Sequence, residues 1–292
     1  MIWFPGKRAL RRTLGAANWQ RARCLFVLST GRVGTVTLMH LLRLSNRVRA
    51  LHEPEPQLIA EAKAAHAGLA KDRLAFQRIF RDAKAVEIGI AVVRKRIYAE
   101  TSNRLTFFAP AIAEALPGAR FLHLYRHPAE VVRSGMRRGW YLNNEFDVHR
   151  IEPLPGDEAY DRWSGWDAFS KNCWNWQAVN RFALDFQESI EPLRFLAISS
   201  EELVQSSRGS YARVFDFLSI PAPSRERAES VLGQRYNLQK EGEFPRYCDW
   251  DERQRAILEQ IAGPVAQRLG YVLSAGSRSA APHAAVARAA GA

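Results

Sequence analysis

Acidic residues are in the minority: 30 Asp and Glu stand against 42 Lys and Arg, giving a formal net charge of +12. That surplus implies an acidic partner, whether a nucleotide, a phosphorylated or sulfated substrate, nucleic acid or a membrane surface, without choosing among them. Cysteine is scarce as well. Cys24, Cys173 and Cys248 are odd in number, far apart and without a C-x-x-C pair. This excludes a disulfide framework and a zinc site and suits buried thiols in a reducing compartment. No apolar run approaches the roughly 18 residues needed to cross a bilayer. The first residues are basic but lack a continuous apolar stretch, which argues against a secretory signal. No internal repeat is present. The expectation is a soluble, cytoplasmic protein.

What is there is a 292-residue chain with 47% hydrophobic residues, enough for one large core. Residues 1–20 form a basic arm, with Lys7, Arg8, Arg11 and Arg12 around Trp3, Phe4, Leu10 and Leu14. A peripheral membrane contact through this arm is one reading, and a solvated leader with docked aromatics is the preferred one. Residues 274–292 are Ala, Ser, Gly and Pro without a core-forming pattern and read as a disordered tail. Between them, strand signals at 25–28, 47–51, 97–100, 121–125 and 194–198 alternate with helical segments at 35–42, 57–95, 105–116, 128–136, 166–186, 211–218 and 251–269. Alternation of this kind predicts an α/β fold, a single domain over 21–273 with a mainly parallel central sheet flanked by helices. Residues 139–165 lack periodicity and predict a long loop of the sort that carries function. In the aromatic helix that follows, Trp174 and Trp176 cannot share one face, which leaves one of them to line a cleft.

The stretch around which the rest is organised is Leu25-Phe-Val-Leu-Ser29-Thr30-Gly31-Arg32-Val33-Gly34-Thr35-Val36. A strand, a tight glycine turn and a helix start leave backbone N–H groups unpaired at the positive end of the helix dipole, which is an anion site. Arg32 and the hydroxyls of Ser29, Thr30, Thr35 and Thr37 add charge and donors. The stretch is not a Walker A loop, because no lysine follows Gly34. In open parallel sheets ligands bind beyond the carboxyl ends of the strands. The groups expected there are the Gly31–Arg32 turn, His52-Glu53, the 100–103 segment, Arg126 and Ser199-Ser200. A phosphate cradle and carboxylates on one rim describe an active site better than a docking surface.

Taken together, these motifs resemble those of the sulfotransferases that use 3′-phosphoadenosine 5′-phosphosulfate (PAPS), with a P-loop, nucleotide-kinase-like fold. Ser29-Thr-Gly-Arg32-Val-Gly34-Thr35 is similar to that family's 5′-phosphosulfate loop, and Arg126-His-Pro-Ala-Glu-Val-Val-Arg-Ser134 to its 3′-phosphate motif. The likeness spans roughly residues 22–273 and leans toward bacterial and Golgi-type members. Two departures stand out. Val33-Gly-Thr-Val36 replaces the usual Ser-Gly-Thr-Thr and removes a hydroxyl at Val36, and the glycine-rich R-K-G-x-x-G segment is missing. Lys240-Glu-Gly242 is the stretch that could take its place.

The resemblance implies that Ser29, Thr30, Gly31, Arg32, Val33, Gly34, Thr35 and Val36 surround the 5′-phosphosulfate, that Arg126 and Ser134 bind the 3′-phosphate, and that Lys240 assists. Arg32 would also stabilise the bridging oxygen as the S–O bond breaks. The general base is Glu53 by preference, 21 residues after Arg32, where tyrosine-sulfating members place a glutamate. His52 is the rival, as in cytosolic members. Glu100 is a weaker candidate for positioning the acceptor, which would be a glycan or other small hydroxyl compound. PAP is the expected product, no metal is expected, and the oligomeric state is not legible. Three other readings remain. A small-molecule or nucleotide kinase would require the absent Walker lysine. A nucleic-acid binder would require more than the short clusters at 94–96 and 137–138. An inactive PAP(S)-binding module would have no use for Glu53.

Overall fold

The computed structural model describes residues 19–68, 70–204, 209–234, 236 and 242–273, so nearly all of the basic arm, Lys240 and the C-terminal tail lie outside the described residues. Five strands form one sheet in the order β2-β3-β1-β4-β5. They are β1 (Cys24–Leu28), β2 (Val48–Leu51), β3 (Ile97–Glu100), β4 (Ala119–Tyr125) and β5 (Phe195–Ser199). Every pairing is parallel, with Phe26 opposite Glu100 on one side of β1 and opposite Phe121 on the other. The α/β reading and the five strands therefore hold, with ends shifted by a residue or two.

A parallel sheet is covered on both faces, and β1 shows why this sequence complies. Its side chains alternate: Leu25 and Val27 join one apolar cluster, while Cys24, Phe26 and Leu28 join the other. All five are essentially inaccessible to solvent. The covering helices are α1 (Thr35–Leu42), α2 (Ile59–Gly68), α3 (Arg73–Val93), α4 (Ala109–Ala115), α5 (Pro128–Arg137), α6 (Ala168–Glu188), α7 (Ser200–Val204), α8 (Ala212–Phe217), α9 (Arg225–Leu232) and α10 (Glu252–Arg268). The segment expected to be helical over 57–95 is two helices. Asp72 starts the second by accepting a hydrogen bond from Ala75 N at 2.9 Å. The 105–116 segment divides too, into a 3-10 turn (Asn103–Phe108) and α4.

Helix α6 is the central post. Trp176 and Cys173 face one cluster and Trp174 the other, so the two tryptophans do point apart. Both are buried, and Trp174 lines a smaller cavity rather than the main cleft. Helix α5 packs against α6 at Gly135, where a Cβ would stand 2.1 Å from Asn172 Oδ1. That close approach fixes the helix carrying Ser134. Cys24 and Cys173 are buried as expected, whereas Cys248 is exposed because it sits on the short 3-10 turn Tyr247–Asp249 outside the core. Among the described residues no helix is long and apolar enough to cross a membrane.

Candidate active site

The glycine turn is a stretched loop clamped at its base. Ser29 N donates to Thr106 Oγ1 (3.0 Å), and that hydroxyl donates back to Ser29 O (3.2 Å). Gly31, Arg32 and Gly34 all adopt left-handed backbone, with φ of 76°, 62° and 89°. Glycine tolerates this freely, while arginine there is uncommon and marks a backbone held for a purpose. Gly34 is the N-cap of α1, no side chain caps that helix, and its first turn holds no acidic residue. The amide end of α1 thus remains open to an anion. Val33 and Val36 turn their side chains toward the apolar core, leaving only their backbone for a ligand. Thr35, Thr30 and Ser29 border the cleft.

The two sequence motifs meet at Arg32. Its Nε donates to Ser134 Oγ at 2.9 Å across 102 residues, and Arg126 Nη1 approaches the Arg32 carbonyl at 3.4 Å. Arg126 also pairs with Glu130 at 2.9 Å, and its own carbonyl accepts from the Trp176 indole at 3.0 Å. Burial, with Arg138, Arg126 and Arg137 nearby, pushes the Arg32 guanidinium down to about 10, an effect that Glu53 partly offsets. The cradle is therefore strongly electropositive. Gly242, two residues beyond Lys240, accepts from Arg137 Nε at 2.8 Å at the end of α5.

On the other side of β1, His52 and Glu53 leave β2. His52 Nδ1 lies 2.8 Å from the Thr101 carbonyl, which can only accept. The ring proton is thereby assigned to Nδ1, and Nε2 faces Glu53 Oε1 at 3.9 Å. Glu53 is itself left-handed, with φ 44°. The turn that presents it is held from below by Lys84. Its fully buried ammonium donates to the carbonyls of Pro54 (3.0 Å) and Pro56 (2.9 Å) and pairs with Glu100 at 2.9 Å. Tyr98 donates to the other Glu100 oxygen at 2.6 Å. Glu100 is 1% exposed and does not line the cleft, so it cannot meet an acceptor directly. Its place is beneath the turn.

The cleft between these groups has a volume of about 590 Å³. The aperiodic 139–165 stretch supplies much of its wall through Trp140, Phe146 and Arg150. Sequence reading missed Lys63, Arg104, Arg138 and Arg150 at this surface. Arg138 carried a signal as half of a basic pair; the others become neighbours only through the fold. Arg126 and Ser134 stand behind Arg32 rather than in the cleft wall. Among the described residues no group of three His, Cys, Asp or Glu could hold a metal ion.

A sequence model described as the sulfotransferase family matches residues 24–224. Among solved structures, the sulfotransferase domain from the curacin biosynthetic pathway is 16% identical, with a TM-score of 0.52 over 87% of this chain and 99% of that one. The sulfotransferase domain of the Synechococcus PCC 7002 olefin synthase gives 16% identity and 0.49, covering 87% and 96% of the two chains. Sulfotransferase STF9 of Mycobacterium avium gives 14% and 0.48, covering 89% and 82%. A comparison with curated proteins finds no match.

Proposed function

The chain belongs to the sulfotransferase family, and from that premise we propose that it transfers the sulfuryl group of PAPS to the hydroxyl of a small molecule or glycan. The observation that carries this reading is the Arg32–Ser134 hydrogen bond with Arg126 against the Arg32 carbonyl. It joins two motifs from distant parts of the chain into one cationic cradle, which a donor with phosphates at both ends of a ribose would fill. The open amide end of α1 and the left-handed backbone at Gly31, Arg32 and Gly34 fit the 5′ end, and Arg126 with Ser134 fits the 3′-phosphate. PAPS supplies an activated sulfur whose bond to the bridging phosphate oxygen breaks as the acceptor oxygen attaches. Arg32 neutralises the charge that grows on that bridging oxygen, releasing Ser134 to do so. Glu53 takes the acceptor proton, with His52 the rival base one residue away. The free thiols of Cys24, Cys173 and Cys248 suit a cytoplasmic setting.

The test is calorimetric titration with PAP beside ATP and magnesium. PAP binding that disappears in Arg126→Ala is the expected result. Uptake of ATP with magnesium in place of PAP would move the chain to the kinases and overturn the reading.

A further inference from the structure

The cleft carries more positive charge than the donor reading uses. Lys63, Arg104, Arg138 and Arg150 line it together with Arg32, against only Glu53 and Glu145 among its lining carboxylates. Two of these cations are already answered: Lys63 pairs with Glu152 at 3.2 Å, and Arg150 pairs with Asp147 at 2.7 Å while lying 4.2 Å over the Trp140 ring. Arg104 is not. It forms no ion pair with any described carboxylate, and its Nε is shielded from solvent without a hydrogen-bond acceptor. Its backbone is fixed, since Arg104 N donates to the Ser102 hydroxyl at 3.2 Å where β3 ends. Burial pushes the Arg150 guanidinium down, Asp147 and Tyr141 oppose that push, and the nearby Arg104 charge adds a lesser push down. Asp147 answers Arg150, but a guanidinium in a partly dry wall with no counter-charge of its own, as at Arg104, costs stability unless an anion meets it.

The sheet order says which anion. Arg126 follows β4, on one side of β1; Glu53 and Arg104 follow β2 and β3, on the other. Arg104 therefore stands on the side of the general base, where an acceptor enters opposite the leaving phosphate, and away from the arginine assigned to the donor's far end. We propose that the acceptor is itself an anion, a hydroxyl compound bearing a carboxylate, phosphate or sulfate group held by Arg104 with Arg150. This rests on the donor reading above and adds the substrate class. The planar guanidinium of Arg104 carries several fixed donors and matches a two-oxygen group in a way a lysine could not. The grip fixes one end of the acceptor while leaving its hydroxyl toward Glu53.

The experiment uses PAP-saturated protein titrated with glucuronate and inorganic sulfate, with glucose as the neutral control. Both anions should bind and glucose should not. Arg104→Met should weaken both anions by about tenfold or more, the worth of a charged hydrogen bond, with PAP affinity unchanged. Anions that bind only PAP-free protein, or bind Arg104→Met as they bind wild type, would overturn the inference and leave the donor reading standing. Weaker binding of PAPS by Arg104→Met, with PAP unaffected, would mean that Arg104 serves the transferring group, which also overturns it. Failure of the wild-type protein to bind PAP would remove the donor reading, and the substrate class with it.

Discussion

Arg32 and Glu53 are opposite in charge and task, yet both are left-handed residues at strand ends, on turns that face one cleft. On the proposed reading, Arg32→Ala removes the donor that would neutralise the leaving oxygen. Turnover should fall by about 10² to 10³, the loss typical of one preorganised donor, in a single-turnover assay with PAPS. Arg32→Lys should recover little of it, because lysine keeps the charge but loses the directed Nε that now reaches Ser134. Glu53→Gln keeps the shape of the turn and removes the carboxylate proposed as the base. Turnover should drop by about 10² or more while calorimetric PAP affinity stays put. An active Glu53→Gln enzyme would transfer the role to His52, whose Nε2 already faces the same space. Both residues were legible because punctuation surrounds them: glycines around Arg32, prolines after Glu53. Arg104 was not, since nothing local separates it from any surface arginine.

At the scale of elements, the turn after β2 is the weak link that the fold takes trouble to secure. Proline at 54 and 56 takes the chain out of the strand, and neither proline can donate an N–H to hold it. Lys84 of α3 supplies the donors from beneath, and Glu100 of β3 supplies its counter-charge. Burial pushes the Glu100 carboxyl up, and the Lys84 ammonium and Tyr98 hydroxyl oppose that push. Lys84→Met should cost about 3–5 kcal/mol in urea unfolding, because it leaves a buried carboxylate without its ammonium. Lys84→Met with Glu100→Gln should recover part of that stability without restoring turnover, since no ammonium then holds the Pro54 and Pro56 carbonyls. A double variant as active as wild type would refute this role for Lys84. Lysine and glutamate in an amphipathic helix and a strand end look like solvent-facing charge, so the pair was not legible as a buried device. The parallel, two-sided sheet was better marked, because β1 and β4 are apolar runs that only such a sheet can bury.

At the scale of the whole molecule, two imidazoles that the fold keeps dry should weaken stability as the pH falls. His123 lies in β4 with no solvent exposure, its Nε2 donating to Asn180 Oδ1 at 2.8 Å. His127 caps α5 by accepting from Ala129 N at 3.3 Å, and it is 2% exposed. A protonated ring could not accept that bond. Burial pushes both imidazoles down to about 4. In the unfolded chain histidine takes its proton near 6.5, so between these values the unfolded state binds more protons than the native one. The contribution is full above about pH 6.5 and is lost as pH falls toward 4. At pH 5 each histidine should have withdrawn about 2 kcal/mol. Urea midpoints measured from pH 7 to pH 4.5 should therefore fall steeply, well before most exposed carboxylates titrate. His123→Gln can still donate to Asn180 but cannot take a proton, so its stability should decline with a slope shallower by about one proton. An unchanged slope would show that His123 protonates as readily in the fold as out of it, and the dry core around β4 would then be open to water.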